Sequence, residues 1–122
     1  MKKIKIIQKK PNKYQVVLQK ISSIESEMKR INYWSHTPPD LLADVKSGKI
    51  KSYLDAPSFE LWLQCIFIPN VIDRAQEQDF PDVSHVGFMA LRYYNNESII
   101  EDAQPLLKML LEFDRIIEEK LF

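Results

Sequence analysis

Apolar side chains first fall into a helical rhythm after Pro11. Tyr14, Val17, Leu18, Ile21, Ile24, Met28 and Ile31 follow one another by steps of three or four residues, the spacing that gathers side chains on one face of an α-helix. Asn12 stands before them as an N-cap. The seam covers about two and a half heptads, an ordinary length for a bundle helix. From Trp34 to Pro57 the rhythm stops, and Pro38, Pro39 and Gly48 mark a long connection. Within it Pro39 can open a short helix through Val45, closed by Ser47 and Gly48. Asp55 or Ser58 then caps a second long helix whose Phe59, Trp62, Leu63, Ile66 and Phe67 form a broad stripe. Beyond Pro69 the residues Val71, Ile72 and Ala75 change phase. Pro69 has no N–H for the carbonyl of Cys65, so a kink is predicted there.

Phe80 and Pro81 break this helix, and Asp82 or Ser84 starts a third. Its Val83, Val86, Ala90 and Tyr93 lie on one side and Phe88 and Leu91 on another, with Asn95 and Asn96 ending it. The last helix runs through Ile99, Ala103, Leu106, Leu110, Phe113, Ile117 and Leu121, with Pro105 in its first turn after Asp102 or Gln104. No segment alternates as a strand would. The predicted architecture is all-α: a four-helix bundle with a long, proline-containing connection between the first two main helices.

A chain of 122 residues, 45% of them hydrophobic, fits one domain spanning residues 1–122 with enough apolar surface to form a core. The formal net charge is zero and the pI about 6.7, which removes any global attraction to nucleic acid or anionic membrane. Local asymmetry remains, because Lys2, Lys3, Lys5, Lys9 and Lys10 crowd residues 1–11, read as a mobile basic arm. These lysines are candidate RNA contacts and equally suit a solubilising tail. Lys5 and Gln8 interrupt the early isoleucines, so no signal-peptide core forms, and the apolar run from Cys65 to Ile68 is far short of the ~20 residues that span a bilayer. The expected compartment is the cytoplasm, with no membrane partner.

Catalytic constellations are not evident. Gly48 and Gly87 are the only glycines, so there is no phosphate-cradling loop and no nucleophile elbow. Cys65, the only cysteine, has Trp62, Ile66 and Phe67 as neighbours and reads as a buried inert thiol. Asp82 and His85 share half of a helical carboxylate–histidine motif that has no second copy, and His36 lies in a Ser/Pro-rich loop. No metal, no cofactor and no enzymatic activity are expected.

The run from Asp55 through Pro69, with Trp34 upstream, Phe80-Pro81 downstream and a tail centred on Asp114, resembles the YqcC-like family of small bacterial proteins. The residues that carry the resemblance are Trp34, Asp55, Trp62, Leu63, Gln64, Pro69 and Asp114. Leu61 stands where that family has Glu, and Asn70 where it has Arg after the proline. The resemblance implies a helical bundle. It also implies a partner, since family members are often encoded beside a tRNA pseudouridine synthase.

Trp62, Leu63, Ile66 and Phe67 read as core before they read as a recognition patch, while Gln64 among them faces solvent or satisfies a backbone group. Phe88, Met89, Leu91, Arg92 and Tyr94 lie off the best core stripe of the third helix, a mixture of aromatic, Met and Arg residues typical of interfaces. They are the candidate docking surface for a protein partner or a second copy. The functional expectation is a non-enzymatic helper protein, acting with a tRNA-modifying enzyme. The alternatives are an RNA-binding accessory using the basic arm and, third, an orphan enzyme. Deleting residues 1–10 separates the first two. If the arm holds RNA, tRNA affinity falls steeply with salt, and truncation flattens the log–log slope by roughly 0.7–0.9 for each phosphate that is no longer neutralised. A slope unchanged by truncation, read in filter-binding titrations, contradicts RNA binding by the arm.

Overall fold

A computed structural model describes residues 12–118. Lys2, Lys3, Lys5, Lys9, Lys10 and the rest of the predicted arm lie outside the described residues, as does Leu121. Helix α1 (Lys13–Arg30) starts at a reciprocal cap: Asn12 Oδ1 accepts the Gln15 N–H at 2.9 Å, and Gln15 Oε1 accepts the Asn12 N–H at 3.1 Å. The connection carries a short helix, α2 (Leu41–Lys46), capped by Asp40, and a 3₁₀ turn at Tyr53–Asp55. Helix α3 (Phe59–Trp62), a π-turn (Leu63–Phe67) and α4 (Ile68–Gln76) follow without a break in helical backbone. Helix α5 (Val86–Tyr94) comes next, and a 3₁₀ turn at Glu101–Ala103 leads into α6 (Gln104–Ile117). No strand occurs among the described residues, and the fold is all-α with four principal helical segments.

Three helices end alike. In α1 the Asn32 amide bonds to the Lys29 carbonyl and the Tyr33 amide to that of Met28, with Asn32 at φ 64°. Gly48 after α2 (φ 84°) and Gln78 after α4 (φ 55°) repeat the pattern. This double bond satisfies the last carbonyls of a helix and requires a left-handed residue at that position.

The irregularity expected at Pro69 lies one turn earlier. The Ile68 amide donates to the Leu63 carbonyl, five residues back. Phe59, Leu63, Phe67, Val71 and Ala75 are all buried, and a strict four-residue repeat over that length would drift about 160° around a regular helix. The extra residue of the π-turn removes about 100° of that drift, which keeps all five on the core side. It also brings Gln64 inside, at 7% exposure. Its amide forms a two-point bond with the backbone of Ser35, accepting from the N–H and donating to the carbonyl, both at 2.9 Å. Of the two readings for Gln64, the backbone one applies, and it ties the long connection to the central helix.

Helix α1 packs on α4 and α6, and α5 packs on α6. Val17, Ile21, Ile24 and Met28 meet Leu63, Leu106, Leu110 and Phe113 in the core, each apolar side chain contributing about 1.5–3 kcal/mol by burial. Lys20 and Glu112 pair at 2.8 Å across α1 and α6, and this hydrogen bond holds the Glu112 carboxyl below its usual range. Several expected positions differ. Leu18, Val83 and Ile99 are exposed rather than core. Glu27 is buried on α1, where Arg30 clasps both carboxylate oxygens at 2.9 and 2.7 Å. Ser58, not Asp55, caps α3, by accepting the Leu61 N–H. Cys65 is half-buried, with burial first and Asp40 second pushing its thiol pKa up.

Helix α5 begins at Val86, later than Asp82 or Ser84, because its cap comes from another helix. His85, at the N-cap position, makes no side-chain cap bond. Instead Asp114 of α6 accepts the Val86 N–H at 3.0 Å and the Ser84 hydroxyl at 2.6 Å on one oxygen, and the Gly87 N–H at 2.8 Å on the other. Burial raises the Asp114 carboxyl above the usual range, against the opposing pull of these three donors. Gly87 permits the approach: a Cβ there would lie 2.6 Å from the Leu111 Cα and 2.8 Å from Asp114 Oδ2. Helix propensity favours Gly87→Ala by about 1 kcal/mol. The clash with backbone wins, and a net loss of about 2 kcal/mol or more is expected in urea unfolding. Asp114→Asn is expected to cost about 1–3 kcal/mol, since one amide then faces a donor. A neutral or stabilising Gly87→Ala contradicts this junction.

Candidate protein-docking face

Helix α5 divides its side chains between core and solvent. Val86, Gly87, Ala90 and Tyr94 are buried. Tyr94, expected at an interface, is 1% exposed. Its hydroxyl donates to Glu60 Oε2 at 2.5 Å and its ring stacks on Tyr33 at 6.1 Å between centroids. Burial, then the Glu60 contact, holds its phenol far above the ordinary tyrosine pKa. Tyr94 is therefore an internal anchor of α5 on α3. Sequence spacing puts Tyr93 inward and Tyr94 outward, and the structure shifts that phase by one residue. Leu91 is half-buried against the core and is likewise no part of an open surface.

What α5 turns outward is Phe88, at 60% exposure, Tyr93, at 47%, and Arg92. Met89 is half-buried between this side and the core. The Tyr93 ring stacks on Phe59 at 5.3 Å, so its exposed edge is held in place.

The 3₁₀ turn after α2 adds the second wall. Ser52 Oγ accepts the Leu54 N–H at 3.2 Å, and Asp55 Oδ2 accepts the Lys51 N–H at 2.9 Å. The resemblance residue Asp55 thus closes its own loop. With its backbone held this way, the loop presents Leu54 at 77% exposure. Tyr53 beside it meets Phe59 and Trp62 edge-on at 5.6 and 6.0 Å. Sequence patterning does not single out Leu54, Tyr53 or Tyr93 as surface residues of a site. A lone leucine between Ser52 and Asp55, inside a loop rather than a stripe, is the one available sign of Leu54.

Of the remaining motif residues, only Trp62 borders this face. Trp34 is half-buried, with the Lys29 ammonium 5.3 Å above its ring. Trp62 is half-buried rather than fully core and stacks on Phe59 and Phe67 at 5.9 and 5.7 Å. Leu63 is fully buried and Pro69 half-buried. On the other side of Trp62 lies a cavity of about 210 Å³ whose walls include Phe67, Phe80 and Phe113, with Asn70, Arg74 and Ser84 as polar groups. Of the two departures from the resembled motif, Asn70 is exposed at this cavity and Leu61 is half-buried. His36 and His85 are exposed, and no group of His, Cys, Asp and Glu among the described residues could hold a metal ion. No helix among the described residues is long and apolar enough to cross a membrane.

Residues 16–116 match a protein family, DUF446, whose description reads "tRNA pseudouridine synthase C". No curated protein and no solved structure matches the chain. The matched span runs from α1 to the end of α6 and takes in Asp114, Gln64, Leu54 and the whole outward side of α5, so the chain belongs to the DUF446 family.

Proposed function

We propose that this protein is a non-enzymatic helper that docks the outward face of α5 onto another protein, and that the partner is a tRNA-modifying enzyme of the pseudouridine synthase class. The observation that carries this reading is the joint exposure of Leu54, Phe88 and Tyr93 on side chains whose backbones are firmly held. Large apolar groups clustered at a surface mark interaction sites. The choice of partner is supported by the family's description and by the resemblance to the YqcC-like proteins. A cytoplasmic setting follows from such a partner.

A helper role is favoured over catalysis because the most perturbed groups are already committed. Asp114 caps α5, the buried Tyr94 hydroxyl is spent on its bond to Glu60, and the Cys65 thiol is shifted away from thiolate formation. Each is therefore poorly placed to act as a nucleophile or a general base.

The test uses Leu54→Glu combined with Phe88→Glu, two highly exposed positions. The variant is expected to keep its helical circular dichroism. Its affinity for a purified tRNA pseudouridine synthase, measured by calorimetry, is expected to fall at least about 30-fold, the scale of losing one interface hot spot. Tyr94→Glu, by contrast, is expected to unfold the bundle. Undiminished affinity in the double variant, or no association of the wild-type chain with the enzyme, contradicts the reading.

A further inference from the structure

We infer that the α5 face receives an amphipathic helix bearing carboxylates along the edges of its apolar stripe. The inference rests on the docking reading above and specifies the chemistry of the docked segment. Three shallow hollows, of about 430, 330 and 260 Å³, adjoin one another and share Tyr53. Met89 joins the first to the second, and Arg92 joins the second to the third. Together they make a track with apolar floor and walls from Val45 to Tyr93.

The charges along this track have one sign. Lys51 and Arg92 line it, with His85 beside Arg92, and no carboxylate does. Neither Lys51 nor Arg92 forms an ion pair within the described residues. The carboxylate next to Leu54, that of Asp55, already accepts the Lys51 amide. A partner with acidic flanks would therefore meet complementary charge, whereas a second copy related by a two-fold axis would bring Arg92 and Lys51 against the same cationic face. RNA fits less well. Phe88 and Tyr93 offer rings for stacking, but Lys51 and Arg92 together neutralise few phosphates, and that charge supplies most of the affinity for RNA. The described residues contain no strand edge for backbone pairing, and an apolar groove flanked by fixed charge suits a helix anchored by its side chains, its acidic edges meeting Lys51 and Arg92.

The experiment uses the full chain and two designed peptides of about 15 residues, long enough to form a helix. They share the same leucine stripe, one flanked by Glu and the other by Lys. Fluorescence anisotropy is expected to show the acidic peptide binding at least about tenfold tighter, with the advantage shrinking as salt rises. Lys51→Glu with Arg92→Glu, checked for fold by circular dichroism, is expected to reverse the preference. The inference is overturned if neither peptide binds, if the basic peptide binds as well as the acidic one, or if the charge-reversed variant keeps the original order. It is also overturned if sedimentation shows a dimer that occludes the face, or if tRNA displaces the acidic peptide from the wild type. Acidic-peptide binding without synthase binding would remove the proposed partner and leave the groove. Synthase binding indifferent to the charge reversal would do the opposite.

Discussion

The carboxylate of Asp114 sets the position of α5, and the exposed face proposed for docking depends on that placement. Helix α5 is nine residues long, carries three aromatic residues and a glycine, and has no local side-chain cap. Such a segment is marginal on its own. Asp114 supplies what it lacks by taking three donors at its start, and the missing side chain of Gly87 lets α6 come close enough for that carboxylate to reach. At the other end the Tyr94–Glu60 bond ties α5 to α3. With both ends held, the rotation of α5 is determined, and Phe88 and Arg92 point outward as a consequence.

A second chain of constraints brings the opposite wall into place. The π-turn rephases the central helix so that Gln64 points inward, and Gln64 grips the backbone of Ser35. Leu41 and Ile50 bury themselves further along the same connection. These attachments deliver the Ser52–Asp55 loop to the neighbourhood of Met89 and Arg92, where Leu54 faces solvent. The two systems meet at Tyr53, which touches the rings of Phe59 and Trp62 and borders every part of the groove. An exposed leucine on a loop held this way does not collapse into the core, and this is the surface that the proposed docking role uses.

Much of the fold is legible in the chain. The three-and-four spacing from Val17 to Met28 and from Leu106 to Ile117 marks α1 and α6, and Asn12, Ser58 and Gly48 mark helix ends through local chemistry. The misreadings on α5 share one physical cause, since they occur where a contact distant in sequence overrides a local signal. Asp82 and Ser84 look like caps, yet the cap of α5 lies 28 residues away from Val86. Tyr93 and Tyr94 are adjacent and alike, and it is Tyr94 that meets Glu60, Tyr33 and Phe59 on other segments and is buried. The shift of phase around Pro69 is visible, but a proline explains a kink as readily as a π-turn. Leu54 has no periodic context at all, and so the wall it forms emerges only with the fold.

Whether function resides in the surface made by α5 and the Ser52–Asp55 loop is decided by hydrogen–deuterium exchange of the full chain, with and without a saturating tRNA pseudouridine synthase. The account predicts added protection over residues 50–55 and 86–94, with α1 and the outer side of α6 unchanged. Protection confined to α1 or α6, or none anywhere at saturation, would contradict it.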